Sequence, residues 1–272
     1  MNNVVPKRII QTGKTTDLRL AEKAAVTTIK LLNPDYEYLF FDDQKVEDFI
    51  DEKYPEYRKL FDAFPVRIQK YDFFRYLAIY FYGGFYFDLD VYLAKSLDDL
   101  LPYGCVFSFE ELSIHRFLRD QYSMDWEIAN YAFGAAPGHP FIKAIIDNCV
   151  KAQENPLWIE PMMKSTPSFY GKDYYVLNST GPGLVSRTLA EFPDPVGKIE
   201  ILFPSDVCEQ SNWHQFGDYG IHLQGATWRK SRGLIKRLLI RIWENYAWRK
   251  VIEESNKLGG YRSLSSIKNN RL

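Results

Sequence analysis

The chain has 272 residues, 46% of them hydrophobic and 16% aromatic, enough apolar material for a substantial core and too much for general disorder. Its formal net charge of −1 gives no overall field that would draw in nucleic acid. The charge is unevenly placed: Arg229 to Leu272 holds 12 Lys/Arg against 3 Asp/Glu, a +9 tail beside a −10 body.

In chain order, the opening Met1-Asn2-Asn3-Val4-Val5-Pro6 has no apolar leader pattern. Arg8 to Gln11 reads as a first strand, and Asp17 as the cap of a helix with Leu20, Ala24, Ile29 and Leu32 on one face, ended by Asn33-Pro34. Tyr36 to Phe41 is a second strand. Helices are expected over Gln44 to Tyr54 and Ile68 to Tyr82, the latter stopped by Gly83-Gly84. A strand carrying Asp88-Leu89-Asp90 follows, then strands at Val106 to Phe109 and Tyr131 to Ala135 and helices at Pro140 to Gln153 and Gly183 to Glu191. This rhythm predicts an α/β fold, a mostly parallel sheet with helices on both sides. No apolar run reaches the roughly 18 residues of a spanning helix. Cys105, Cys149 and Cys208 form no Cys-x-x-Cys pair and no disulfide framework, which fits a reducing compartment. A soluble, cytoplasmic protein is expected, resting at most on the inner face of the cell membrane.

The chemistry concentrates at Tyr82-Gly83-Gly84-Phe85-Tyr86-Phe87-Asp88-Leu89-Asp90. On an extended segment Asp88 and Asp90 would project to one side, and Phe87 and Leu89 into the core. Two such carboxylates repel unless a cation sits between them, and a hard divalent ion with phosphate as co-ligand is the usual solution. The preceding helix carries Asp72 and Arg75 three residues apart among Phe73, Phe74, Leu77, Ile79 and Tyr80. A charged pair in so apolar a helix is expected to be buried, and buried charge needs a partner.

Lys70-Tyr71-Asp72-Phe73-Phe74-Arg75-Tyr76 through Asp90 resembles the Asp-x-x-Arg-Tyr…Gly-Gly-x-Tyr-x-Asp-x-Asp signature of DXD sugar transferases, the family 32 glycosyltransferases of fungal α-1,6-mannosyltransferase and bacterial capsule type. The large glucosylating toxins share that core. Val5 to Gln11 is similar to the family's opening strand, Asn130 to Pro140 to its middle block, and Ser179-Thr180-Gly181-Pro182-Gly183 to its Thr-Gly-Pro block. Tyr219 to His222 with Ala226-Thr227-Trp228 is similar to its closing His…Trp block. The resemblance covers about residues 4 to 230. It implies a GT-A (Rossmann-like) catalytic domain over 1–230, followed by a basic amphipathic helical tail over 231–272.

It also implies a metal-dependent retaining transfer of a hexose from a nucleotide-sugar to a glycan or lipid-linked acceptor, as in cell-surface or capsular polysaccharide synthesis. Mn²⁺ or Mg²⁺ would be held by Asp90, with Asp88 on the ribose or the metal's water shell and His222 as a further metal or diphosphate contact. Asp72 and Arg75 would hold the donor sugar, Trp228 would cover the diphosphate, and Arg75 would add positive charge beside the catalytic Asp88 and Asp90. Asn130 would touch the sugar or tie a strand end, and Gln11 would join the donor-binding residues. The run Gln11-Thr12-Gly13-Lys14 lacks the aromatic that often stacks on the base, and Ile10 stands where histidine is common, so UDP and GDP are both compatible.

The residues supply no clear carboxylate nucleophile, although Glu110 and Glu111 follow a strand. Same-face attack by the acceptor hydroxyl is therefore expected. An aspartyl phosphohydrolase using Asp88 is the rival enzyme reading, but its motif normally ends the first strand. A non-catalytic sugar- or partner-binding domain is the third reading. In the tail, Ile235, Leu238, Leu239, Ile242 and Tyr246 recur at helical spacing beside Lys236, Arg237, Arg241, Arg249 and Lys250. That pattern fits either a helix lying on an anionic membrane or one packed on the domain.

Overall fold

Strand β1 (Arg8–Thr12) is placed by its own pattern, with Ile9 and Ile10 fully buried on opposite faces of a sheet. In the computed structural model, residues 4–114, 116–165, 172–193, 199–223 and 234–257 are described. Among them β1 pairs in parallel with β2 (Glu37–Phe41) and β3 (Gly84–Phe87). β6 (Trp126–Ala135) runs antiparallel to β3 and to β5 (Cys105–Leu112), and β7 (Glu200–Leu202) pairs in parallel with β5. The order is β2-β1-β3-β6-β5-β7, a mostly parallel sheet with β6 alone reversed, as expected for a GT-A domain.

Each face of the sheet buries its own core. Ile10, Tyr86, Phe107 and Phe133 face one side, where α2 (Asp43–Lys53), α4 (Arg67–Tyr82), α6 (Pro140–Glu154) and α9 (Pro182–Glu191) pack. The shorter α3 (Arg58–Ala63), α5 (Arg116–Tyr122), α7 (Glu160–Lys164) and α8 (Lys172–Ser179) fall between them in the chain. Ile9, Phe85, Phe87, Val106 and Ala132 face the other, against Ile29 of α1 (Leu20–Leu32). α1 starts after Arg19 rather than at Asp17, and its buried residues are Ala25 and Ile29. Leu20, now the first residue of the helix, is 86% exposed.

α4 is the deepest helix, its residues Asp72 to Ile79 all buried. It ends where Gly83 (φ 64°) and Gly84 (φ 107°) turn the chain back into the sheet. A side chain at Gly84 would meet the Arg8 carbonyl oxygen at 2.6 Å, so both the backbone angle and the close approach to β1 demand glycine.

The strand expected to carry Asp88 and Asp90 stops at Phe87. The Asp88 amide still reaches the Tyr131 carbonyl at 2.8 Å, and the neighbouring Asn130 carbonyl accepts from Arg75 Nη1 at 2.7 Å. The chain then leaves the sheet in a turn closed by the Val91 amide on the Asp88 carbonyl at 3.1 Å. β4 (Val91–Leu93) then pairs with β8 (Gly220–His222), setting Val91 opposite His222. Leu89, expected in the core, is half-buried beside the cavity.

The helix α10 (Leu234–Lys257) is apolar on two opposite sides. Ile240 and Val251 are buried, with Trp243 and Trp248 packed beside them. Leu238, Leu239, Ile242 and Tyr246 are between 57% and 67% exposed, so the residues chosen from the sequence as one apolar face point away from the domain. Ile235, Lys236 and Arg237 belong to the helix, but their side chains lie outside the description. No described helix is long and apolar enough to cross a membrane.

Candidate active site

The carboxyl ends of β1, β3 and β5 and the amino-terminal half of β6 open onto one groove of about 580 Å³, the usual place for a ligand in such a sheet. Its floor is an ionic network built from α4. Arg75 Nη2 lies 3.1 Å from Asp72 Oδ1 and 3.2 Å from Asp88 Oδ1, and both α4 side chains are at most 5% exposed. The guanidinium also stands over the Tyr86 ring at 4.6 Å, and the Tyr86 hydroxyl donates to Asp88 Oδ1 at 2.8 Å. Asp72 accepts from the Thr180 hydroxyl at 2.9 Å and the Asn130 amide at 3.2 Å. The Thr-Gly-Pro block thus acts by orienting Asp72.

Burial raises the Asp72 carboxyl to about 6, with the Arg75 charge and the Thr180 hydrogen bond opposing the rise. Burial raises Asp88 as well, again opposed by Arg75. For Arg75 burial acts downward, yet the surrounding negative groups, Asp88 foremost, hold its value above the ordinary one.

Asp88, Asp90 and His222 each place one donor atom within 4.8 Å of the others. His222 Nε2 is 3.2 Å from Asp90 Oδ1, and its ring stacks on Tyr131 at 4.1 Å. Burial works against a charged His222, but its hydrogen bond to Asp90 together with the negative charges of Asp90, Glu110 and Asp88 outweighs burial and raises its pKa. Two carboxylate oxygens and an imidazole nitrogen suit a divalent cation such as Mn²⁺ or Mg²⁺, and His222 Nδ1 is buried with no hydrogen-bond partner among the described residues. The geometry therefore fits the cation that the resemblance implies.

The predicted residues do not all meet here. Asp72, Arg75, Asp88, Asp90, Asn130 and His222 line the groove. Gln11 does not: it is fully buried, its amide nitrogen reaching the Phe87 and Asp88 carbonyls at 3.4 and 3.3 Å while its oxygen accepts from Tyr38 at 2.8 Å. Its polar atoms brace the Asp88 turn from behind, a correction to its assignment as a donor contact. Asn130 both binds Asp72 and gives its carbonyl to Arg75, tying the middle of β6, rather than a strand end, to the network. Trp228 lies outside the described residues.

A family described as "glycosyltransferase sugar-binding region containing DXD motif" matches residues 21–107. Inositol phosphoceramide mannosyltransferase 2 of Schizosaccharomyces pombe is 31% identical over 237 residues, covering 81% of this chain and 61% of its own length. Inositol phosphoceramide mannosyltransferase 3 of the same yeast is 34% identical over 232 residues, covering 84% and 56%. Over residues 21–107 the chain carries the sugar-binding region of the DXD-motif glycosyltransferases. It spans between 56% and 61% of the length of these two curated relatives. A solved structure named PaToxG Glycosyltransferase superposes with a TM-score of 0.48 at 16% identity over 68% of this chain and 69% of that one.

This DXD-motif domain lines its groove with more than its motif. Thr12, Gly13, Lys14, Arg19 and Glu22 stand near β1, and Glu110, Glu111, Glu127, His214, Glu244 and Trp248 near β5. Tyr86 and Thr180 could have been drawn from the motifs that contain them. His214 and Glu127 offered no spacing signal at all.

Glu127 is 4% exposed and accepts from the Ser113 hydroxyl at 2.7 Å. Burial raises it from 4.5 to about 7, Ser113 opposing and the Glu110 charge adding to the rise. Between those values the folded chain holds a proton that the unfolded chain has released. Stability contributed by this group therefore falls as pH rises through that window and is gone above about 7. Glu127→Gln is expected to stabilise the protein at pH 8 by up to about 3 kcal/mol and to match wild type at pH 4. Thermal melts across that range check this. A residual slope of the same sign belongs to Asp72.

Proposed function

We propose that the protein is a metal-dependent retaining hexosyltransferase, taking a sugar from a UDP- or GDP-linked donor and passing it to a glycan or lipid-linked acceptor in cell-surface glycan synthesis. The observation that carries this reading is the joining of two clusters through Asp88: the cation-binding set Asp88, Asp90 and His222, and the buried Asp72–Arg75 pair. When bound, the divalent ion would act as a Lewis acid on the departing diphosphate. Asp90 and His222 would hold it, with Asp88 bridging to Arg75. Asp72, its carboxylate fixed by Thr180 and Asn130, would accept hydrogen bonds from donor-sugar hydroxyls. Arg75, kept charged by its neighbours, would sit beneath the developing negative charge. Thr12, Lys14 and Arg19 would lie along the nucleotide.

Mannose is the first sugar to test, since the two yeast relatives carry mannosyltransferase names. A phosphohydrolase reading is disfavoured by the family match and by the position of Asp88 just after the third strand rather than the first. A binding domain without catalysis would have no use for so much buried charge beside a cation site. The deciding experiment is nucleotide release from a panel of UDP- and GDP-sugars, GDP-mannose included, with Mn²⁺ and then with EDTA. Release from one donor that stops with chelation and returns with Mn²⁺ is expected. No release from any donor, with or without acceptor, overturns the reading.

We also propose that the outward face of α10 rests on an anionic bilayer, at the inner face of the cell membrane and near a lipid-linked acceptor. Leu238, Leu239, Ile242 and Tyr246 supply the apolar contact, and the exposed Arg241, Arg249 and Lys250 the charge complementarity. In flotation with vesicles containing phosphatidylserine, Leu239→Glu/Ile242→Glu is expected to lower the bound fraction at least about fivefold. Equal flotation of the two proteins counts against the contact.

A further inference from the structure

The groove is longer than the donor site assigned to it. β1 and β5 are three strand spacings apart in the sheet, roughly 14 Å. A donor laid from Thr12 across Asp88 to Asp72 leaves the β5 end uncovered. That end is built of carboxylates and aromatic rings. His214 Nδ1 lies 3.2 Å from Glu110 Oε1, and His214 Nε2 lies 3.9 Å from Glu111 Oε2. The His214 amide donates to the Glu110 carbonyl at 3.2 Å, and its carbonyl accepts from the His222 amide at 3.0 Å. The imidazole is thereby held one backbone hydrogen bond from the candidate cation ligand.

Two aromatic side chains complete this end. Trp248 reaches back from α10, its indole fixed by a 3.1 Å hydrogen bond from Nε1 to the Leu112 carbonyl and by an edge contact with Trp213 at 5.3 Å. Tyr131 is 3% exposed and lines the groove. Its hydroxyl lies near Ser108, yet neither hydroxyl makes a hydrogen bond of ordinary geometry among the described residues. A buried hydroxyl in that state has capacity for a further hydrogen bond.

We propose that Glu110, Glu111, His214, Tyr131 and Trp248 form the acceptor subsite and that it takes an uncharged polyhydroxylated ring while rejecting a phosphate. The inference rests on the transferase reading given above. Carboxylates and an imidazole accept hydrogen bonds from neighbouring ring hydroxyls, and an indole offers a flat apolar surface to the C–H face of such a ring. A phosphate placed here would confront Glu110, Glu111, Glu127 and Glu244 together. An acceptor that carries phosphate would have to keep it outside this end of the groove.

The test is equilibrium binding, which needs no turnover and so stays readable if the transferase reading itself fails. Saturation-transfer NMR and calorimetry would use myo-inositol, methyl α-D-mannopyranoside and myo-inositol 1-phosphate on the full chain with Mn²⁺. At least one neutral probe is expected to bind. Glu111→Gln and Trp248→Ala should each weaken it about tenfold or more, and Trp248→Phe should restore most of the loss. The phosphorylated probe should bind at least about tenfold more weakly than myo-inositol, the gap narrowing in Glu111→Gln/Glu244→Gln. The proposal is overturned by any of three results: no neutral probe binding to wild type, phosphate binding as tight as the neutral ring, or an equal loss of nucleoside diphosphate affinity in the variants.

Discussion

Asp90→Ala is expected to cut metal-dependent nucleotide release at least about a thousandfold while leaving the protein folded. The size follows from the several kcal/mol that a cation contributes to a leaving diphosphate, about 4 kcal/mol being a thousandfold in rate. The survival of the fold follows from position: Asp90 lies in a turn, its side chain is 27% exposed, and it pairs with the half-buried His222. Loss of one such pair costs about 1 kcal/mol or less. Asp88→Ala should behave differently, because it also strips Arg75 of a buried counter-charge. Initial rates across a Mn²⁺ titration, with melting temperatures alongside, separate the two. More than a tenth of the wild-type rate in Asp90→Ala would remove its assigned role.

Arg75→Met is expected to destabilise the protein by about 3–5 kcal/mol, because it leaves Asp72 and Asp88 facing each other in a buried site with no cation between them. For a chain of this size that corresponds to a fall of roughly 10 °C in melting temperature. The loss should shrink at low pH, where both carboxyls, already raised by burial, take up protons. Arg75→Met/Asp72→Asn should recover part of it, since the neutral amide removes one of the two stranded charges. A fall below about 1 kcal/mol, or no recovery in the double variant, would mean that the network is not held by charge. Nucleotide release should be lost in both variants, which tests the role of Arg75 beneath the diphosphate independently of the fold.

Much of this was legible in the amino-acid sequence. The Asp72–Arg75 pair announced itself because charges three apart in so apolar a helix have nowhere to go but inward. The glycine pair gave the helix stop, and the ordered motifs gave the family resemblance. What stayed hidden has physical causes. The Asp88–Asp90 turn reads as strand because its residues continue the alternation of Phe85 and Phe87, while in the fold the Val91 amide bonds back to the Asp88 carbonyl and closes a turn. β4, β7 and β8 are three residues each, too short for any period to register. Trp126 to Asn130 mixes polar and apolar residues because its strand passes from core to groove wall, so only the second half of β6 was read as strand. Gln11 looked like a ligand contact because it ends the first strand, where such contacts sit. In the fold it is one layer too deep.

The His214–Glu110 pair spans 104 positions and His222 stands far from Asp90 in the chain, distances at which local pattern carries no information. The two-stranded ladder of β4 and β8 brings a residue from late in the chain onto a turn from its first third. The candidate cation set is therefore incomplete until residues beyond 220 have docked, and ion affinity becomes a readout of finished assembly. A nascent or C-terminally clipped chain would hold two carboxylates without their third donor, and would neither retain the ion nor spend its donor sugar on water.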